Sequence, residues 1–355
     1  MIIPESFGAV GDGLTDDTDA LNVWADSLGG GTDGLIENTY LISSVISIVD
    51  KNEFKIIGSG SIKIADGTPI NEPYSGFFIQ QSSDWTMKGI TIDGNRNNRD
   101  PGPSSGHAIK IRSCFDFELT RLICKNSPTD GILLDASNAQ DETTHCRDFH
   151  IVECVCINNT RQGLSIIQAH DFEILGGEYS ATNGALPGCG IDLEPNTSQD
   201  AMNSLTNGMI AGVLLKENQG CGLQVSGKTT TLQIHAVNLV CDGNVSGAIR
   251  WGARTGAIVG VLIKNTQVLP TRGQIDVIAK NASALDRGGY VYIIGPTFEN
   301  IGASDLAHPL VYEHKSAEPL TTLVDMRFDD QSKAFVNLRG EGSSIIRPGK
   351  LNFLT

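Results

Sequence analysis

Four segments of this 355-residue chain align without gaps: SDWTMKGITID from position 83, FDFELTRLICK from 115, RDFHIVECVCI from 147 and HDFEILGGEYS from 170. Each has Asp second. A second set is interleaved with them and continues beyond: HAIKIRS from 107, DGILLDA from 130, QGLSIIQ from 162, CGIDLEP from 189, CGLQVSG from 221 and SGAIRWG from 246. Their starts are 23, 32, 27, 32 and 25 residues apart. Short strands of alternating polarity recurring at that spacing, with Gly or Asn between them, describe a solenoid of β-coils, because each coil hides its apolar face only by stacking on its neighbours. The expected fold is all-β: a right-handed parallel β-helix over about residues 35 to 300. A leucine-rich repeat fits the period but lacks its Leu-x-x-Leu-x-Leu signature, and a propeller needs a longer, more regular unit.

Composition agrees with many short strands and tight turns: 40 Gly, 6% aromatic and 40% apolar residues. A net charge of -15 repels nucleic-acid phosphates and anionic membrane surfaces, so neither is an expected partner. No apolar run reaches the length of a membrane span, and the opening MIIPESFGAV lacks the basic start and apolar core of a signal peptide. The eight cysteines include three pairs at an offset of 32: Cys114 and Cys146, Cys124 and Cys156, Cys189 and Cys221. Zinc ligands come as close C-x-x-C pairs, whereas a constant offset follows the repeat, so these read as stacked, buried, reduced thiols.

The stretch FGAVGDGLTDDTDALNVWADSL opens with a Gly-rich turn and continues as a capping helix near 16 to 28, with Thr15 or Asp16 as N-cap. Ala20, Leu21, Trp24, Ala25 and Leu28 share its apolar face. Asp12, Asp16, Asp17 and Asp19 have calcium-ligand chemistry, but acids at a helix start are the commoner explanation. No metal or cofactor is expected. The organisation read from the chain is a cap over 1–30, a β-helix over 31–302, and terminal coils, a cap or an oligomerisation segment over 303–355.

FGAVGDGLTDDTDAL, TIDGNR at 91 to 96, RQGLSI at 161 to 166 and GIDLEPN at 190 to 196 resemble the pectate-lyase-like right-handed β-helices of bacteriophage tailspike depolymerases and related polysaccharide-active proteins. The likeness spans roughly residues 5 to 260. It implies the fold, a bacterial surface polysaccharide (capsule or O-antigen) as partner, a homotrimer, and a place in the virion tail or outside the cell. It leaves the reaction open, because such proteins include hydrolases, lyases and epimerases. The Asp-Pro-His motif of alginate epimerases is absent.

The aligned columns supply candidate chemistry. Lys110, Leu133, Ser165, Asp192 and Gln224 form one outward column, and Arg112, Asp135, Ile167, Glu194 and Ser226 the next. Column neighbours lie about 4.8 Å apart, and outward residues two apart on a strand about 6.5 to 7 Å apart. The longer distance suits the acid and base of an inverting glycosidase, which need about 6.5 to 9.5 Å. Asp192, Glu194 and Asp135 are therefore the expected catalytic carboxyls. The insertions SNAQDETTH after Asp135 and NTSQDAMNSLT after Glu194 would wall a groove, with GNRNNRDPGPSSG at 94 to 106 closing its end. A lyase acting by β-elimination on a uronic-acid polymer is the alternative. It would draw on His107, stacked over Asp130, with Lys110, Arg112 and Arg161 as cations. A glycan receptor without chemistry is the third reading, with Trp251 as an outward aromatic platform and Ser165 and Gln224 as polar contacts. Tyr179 falls away from this face.

Overall fold

The shared Asp of the aligned segments has a backbone reason. Asp84, Asp116, Asp148 and Asp171 adopt φ of 51°, 51°, 53° and 52°, and Asn207 and Gln233 continue the column at 56°. Ser83 pairs with Phe115 and Trp85 with Phe117, so the Asp residues between them lie opposite each other at a left-handed kink that leaves the register unchanged. Short polar side chains tolerate this left-handed conformation better than apolar ones, which fixes the residue type at each coil.

The computed structural model describes residues 1–69, 75–99, 106–195, 205–226, 231–253, 255–265, 274–277 and 290–299; beyond 300 it describes only the strands at 311–313, 320–324, 327–329, 336–337, 344–346 and 353–354. Three parallel sheets of 13, 12 and 11 strands run the length of the described chain. Each sheet receives one strand per coil, so this is the right-handed parallel β-helix that the repeat predicts. Strands beyond 303 continue the same three sheets, ending at Phe353–Leu354.

The interior is built from like residues stacked on like. Phe54, Trp85, Phe117, Phe149 and Phe172 occupy one column with ring centroids 4.7 to 5.9 Å apart and nearly parallel planes. Gly208 ends this column: it pairs with Phe172, and a Cβ there would sit 2.3 Å from the ring. Cys124 pairs directly with Cys156. All eight cysteines are buried free thiols, and burial pushes the Cys114 thiol up to about 12. At the turns, buried Asn159, Asn218 and Asn244 each donate to a main-chain carbonyl, of Cys124, Tyr179 and Leu215 respectively. These bonds satisfy backbone that the bends leave out of the ladder.

The amino-terminal helix spans Thr18–Asp26 and buries Leu21, Trp24 and Ala25. Leu28 is buried just beyond its end and Ala20 packs against the same cluster. The N-cap is Asp17 rather than Thr15 or Asp16. Asp17 Oδ1 and Oδ2 accept from the backbone N–H groups of Val10 and Gly11, while Asp16 Oδ1 accepts from that of Thr18. Asp12 closes its own turn by accepting from Leu14 and Thr15. These acids are occupied in fixing the cap.

Candidate functional site

The 11-stranded sheet carries the columns identified in the sequence. Its strands pair in register so that Lys110, Leu133, Ser165, Asp192, Gln224, Arg250 and Asp276 form one continuous column. Ile109, Ile132, Leu164, Ile191, Leu223, Ile249 and Ile275, one residue earlier, point into the core. Period-2 alternation thus turns this column to the outer face.

Outward does not mean exposed. Lys110, Leu133, Ser165, Asp192, Gln224 and Asp276 are all buried, Asp192 completely. Long polar side chains fold over the column. Arg112 grips Asp135 bidentately, Nε to Oδ1 at 2.8 Å and Nη2 to Oδ2 at 2.7 Å. Lys110 Nζ lies 3.6 Å from the same Oδ2. Asp135 is a carboxylate clamped between two cations, with both oxygens engaged. The expectation of Asp135 as an acid or base meets this geometry poorly, since a bidentate guanidinium with a second cation beside it commits the group to an ion-pair network, whereas neutral amides hold Asp192.

Asp192 is held differently. Gln162 Nε2 donates to its Oδ2 at 2.6 Å and Gln224 Nε2 to its Oδ1 at 3.0 Å. Burial, with the nearby Glu194 charge, holds its carboxyl group well above the usual range, against the opposing pull of Gln224 and Arg161. Glu194 directly follows the strand Ile191–Leu193 and is partly exposed.

A second cluster lies two coils away. Asp130 is fully buried, and its Oδ1 accepts from the Gln162 backbone N–H at 3.1 Å. Its Oδ2 has no hydrogen bond, yet His107 Nδ1 is 3.4 Å from it and Arg161 Nη1 3.6 Å. His107 Nδ1 also meets Thr129 Oγ1 at 3.0 Å. The stacking of His107 over Asp130 expected from the repeat is present.

Trp251 corrects an expectation. It is not an outward platform: it follows Val225 in register, its side chain is fully buried in the core, and Arg250 takes the outward position. The physical reason is parity, since Trp251 lies one residue past the outward position of its strand. Tyr179 is buried inside the coil, away from this face. The insertion after Asp135 is described: His145 Nε2 meets the Ala139 carbonyl at 3.1 Å, anchoring its base. The residues 196–204 beside Glu194, and 100–105 of the third excursion, lie outside the described residues.

Three residues of this site were not singled out in the sequence. Gln162 sits in QGLSIIQ at the position of Asp130 in DGILLDA, one coil before Asp192. Arg250 and Asp276 extend the outward column; SGAIRWG runs one residue out of step with CGLQVSG, so Arg250 rather than Ile249 stands beside Gln224. Among the described residues no cluster of three or more His, Cys, Asp or Glu side chains is positioned to hold a metal ion, and no helix is long and apolar enough to cross a membrane.

No protein-family model matches the chain. It is 34% identical over 110 residues to alginate lyase 7 of Azotobacter vinelandii, covering 26% of this chain and 13% of that enzyme. Mannuronan C5-epimerase AlgE2 of the same organism is 32% identical over 108 residues, covering 26% and 11%. The chain thus spans a small part of the length of the curated relatives it matches. Among solved structures, the surface adhesin PfbA of Streptococcus pneumoniae superposes with a TM-score of 0.62 at 14% identity, over 98% of this chain and 99% of the adhesin. The A-module of mannuronan C-5 epimerase AlgE4 of Azotobacter vinelandii gives 0.55 at 15%, over 97% and 99%. Tailspike protein 2 of Escherichia coli O157:H7 bacteriophage CAB120 gives 0.50 at 14%, over 83% and 42%. The shared feature is the parallel β-helix, as the repeat and the resemblance to phage tailspikes implied.

Proposed function

We propose that this chain is a polysaccharide depolymerase that hydrolyses glycosidic bonds along the outer face of the 11-stranded sheet, with Asp192 as acid and Glu194 as base. The observation that carries the reading is the contrast within this pair: a buried carboxyl that favours its proton stands two residues from a more exposed carboxyl group. A buried carboxyl that holds its proton beside a second, more accessible carboxyl is an arrangement suited to acid and base catalysis on one bond. The glycosidic oxygen displaces the Gln224 amide and takes the Asp192 proton as the bond to the anomeric carbon breaks. Glu194 removes a proton from the water that attacks that carbon from the opposite side, giving inversion. Asp135 serves as an anchor for Arg112 and Lys110 and holds the neighbouring coil.

A second reading is favoured by the His107, Asp130 and Arg161 cluster, and by the names of the local sequence relatives, which act on alginate and mannuronan. Here His107 Nε2, which has no hydrogen bond among the described residues, abstracts the proton α to a uronic carboxylate. Arg161 stabilises the charge that forms on that carboxylate, and the 4-linked oxygen departs to leave a double bond. The partner in either case is a bacterial surface polysaccharide, the assembly a homotrimer, and the location the virion tail or the cell exterior. The tailspike likeness supports these assignments. Incubation with a panel of purified capsular, O-antigen and uronate polymers, followed by mass spectrometry, separates the outcomes. Products heavier by one water support hydrolysis, and unsaturated products absorbing in the ultraviolet support elimination. Retained binding without products would make the chain a receptor module and overturn both.

A further inference from the structure

The hydrogen bonds around Asp192 have only one consistent direction, and Arg250 sets part of it. A guanidinium only donates, so Arg250 Nη1, 2.8 Å from Gln224 Oε1, fixes which end of that amide is the oxygen. The other end, Nε2, is then forced toward Asp192 Oδ1 at 3.0 Å as a donor. On the opposite side a backbone does the same work: the Cys189 N–H donates to Gln162 Oε1 at 2.7 Å and thereby turns Gln162 Nε2 onto Asp192 Oδ2 at 2.6 Å. Asp192 therefore faces two donors whose orientations are dictated by groups that cannot accept.

We propose that Arg250 is a positioning residue for Asp192: by holding the Gln224 carbonyl oxygen it aims the Gln224 amide N–H at the Asp192 carboxyl group. The consequence is control over where a proton resides. Two N–H donors complement the carboxylate anion, while burial and the Glu194 charge favour the neutral acid. The groups facing Asp192 are Glu194, whose charge pushes its proton affinity up, and Gln162, Gln224 and Arg161, which favour the anion. Asp276 stands beside Arg250 in strand register on the next coil. Without Arg250, Gln224 is free to reverse and present its oxygen, which accepts a hydrogen bond from protonated Asp192. Loss of Arg250 thus makes Asp192 a weaker acid without removing any atom that touches it. The importance of this relay for catalysis rests on the proposed role of Asp192, but its existence does not.

The test is a carbon-13 carboxyl titration of aspartate-labelled protein, with the Asp192 resonance assigned by its loss in Asp192→Asn. In Arg250→Met the Asp192 midpoint is expected to rise by about one pH unit or more, the size of one lost hydrogen bond to a charged group. Arg250→Lys, which retains a donor, is expected to recover part of that shift. Gln224→Met should raise the midpoint as Arg250→Met does, and the double variant should add nothing further. A parental midpoint in Arg250→Met, or in Arg250→Ala should the methionine variant fail to fold, overturns the proposal. So does a full additional shift in the double variant. Because the titration uses no substrate, a shifted midpoint with no cleavage of any polymer would sink the depolymerase reading and leave the relay standing.

Discussion

At the residue scale, two carboxyls on one face are pushed to opposite duties by their neighbours. Asp135 is gripped by Arg112 and Lys110, whereas Asp192 is fully buried and its hydrogen bonds come from the amides of Gln162 and Gln224. Asp192→Asn and Glu194→Gln keep size and remove the acid or base, so each should lower the rate of cleavage by about two to four orders of magnitude. Parental rates in both well-folded variants would move the chemistry to His107 and Arg161. Asp135→Asn is expected instead to lower stability by about 1 to 3 kcal/mol with a much smaller effect on rate, because it weakens a partly buried ion pair. Comparing melting curves with turnover in the same preparations checks that separation. The sign of the pH dependence follows from Asp192. Its carboxyl binds a proton more tightly in the folded than in the unfolded state, so its contribution to stability is complete below the ordinary carboxylate range. The contribution is lost as pH rises toward the raised folded value. Melting temperatures measured stepwise from acid to neutral pH should therefore decline more in the parent than in Asp192→Asn, and identical slopes would contradict the assignment.

At the scale of the element, a strand in this solenoid is stabilised by the strand above and below it. The aromatic column from Phe54 to Phe172 is one such stack, and Phe149 has a ring neighbour on each side. Phe149→Ala removes a fully buried ring from the middle of the stack and should cost about 3 to 5 kcal/mol by denaturant unfolding. Gly208→Ala tests the end of the same column from the other direction, since the added methyl meets the Phe172 ring at 2.3 Å. It should destabilise by about 1 to 3 kcal/mol, where an alanine in an unobstructed strand would be neutral or better. These costs arise at coil interfaces, which is why the repeated left-handed Asp positions and turn asparagines matter: they recur at the same place in each coil and keep successive strands at the register on which the stack depends.

For the whole molecule, a solenoid of stacked coils leaves a sheet edge at each end, which must be capped or paired. The helix Thr18–Asp26 packs at the amino-terminal end. If the chain assembles as the proposed homotrimer, light scattering should give three times the 37.8 kDa chain mass, and a clean monomer at micromolar concentration would count against the trimer. The stacked thiols give a second test of the whole fold. Native protein should resist a thiol reagent, because all eight cysteines are buried, and denatured protein without reductant should release eight thiols.

The fold could be read from the sequence because a solenoid is local in one dimension: each coil repeats the constraints of the last, so an alignment of the chain with itself is nearly a map of its contacts. The offset of 32 placed Cys124 on Cys156, and the shared Asp lined the four segments up, although the left-handed backbone behind that Asp came only with the structure. The alternation of CGIDLEP likewise assigned Asp192 to the outer face. Burial and partnership were another matter, because they depend on how long side chains fold across several coils. Nothing in the one-dimensional pattern says that Arg112 closes on Asp135, or that Gln162 and Gln224 seal Asp192 from both sides. Nor did it reveal that Trp251 points inward while Arg250 reaches back to orient an amide. Periodicity set the faces from Lys110 to Gln224 but not that of Trp251; only the packed structure decided which charges meet there, because electrostatics and hydrogen-bond direction are set by atoms brought together from different coils.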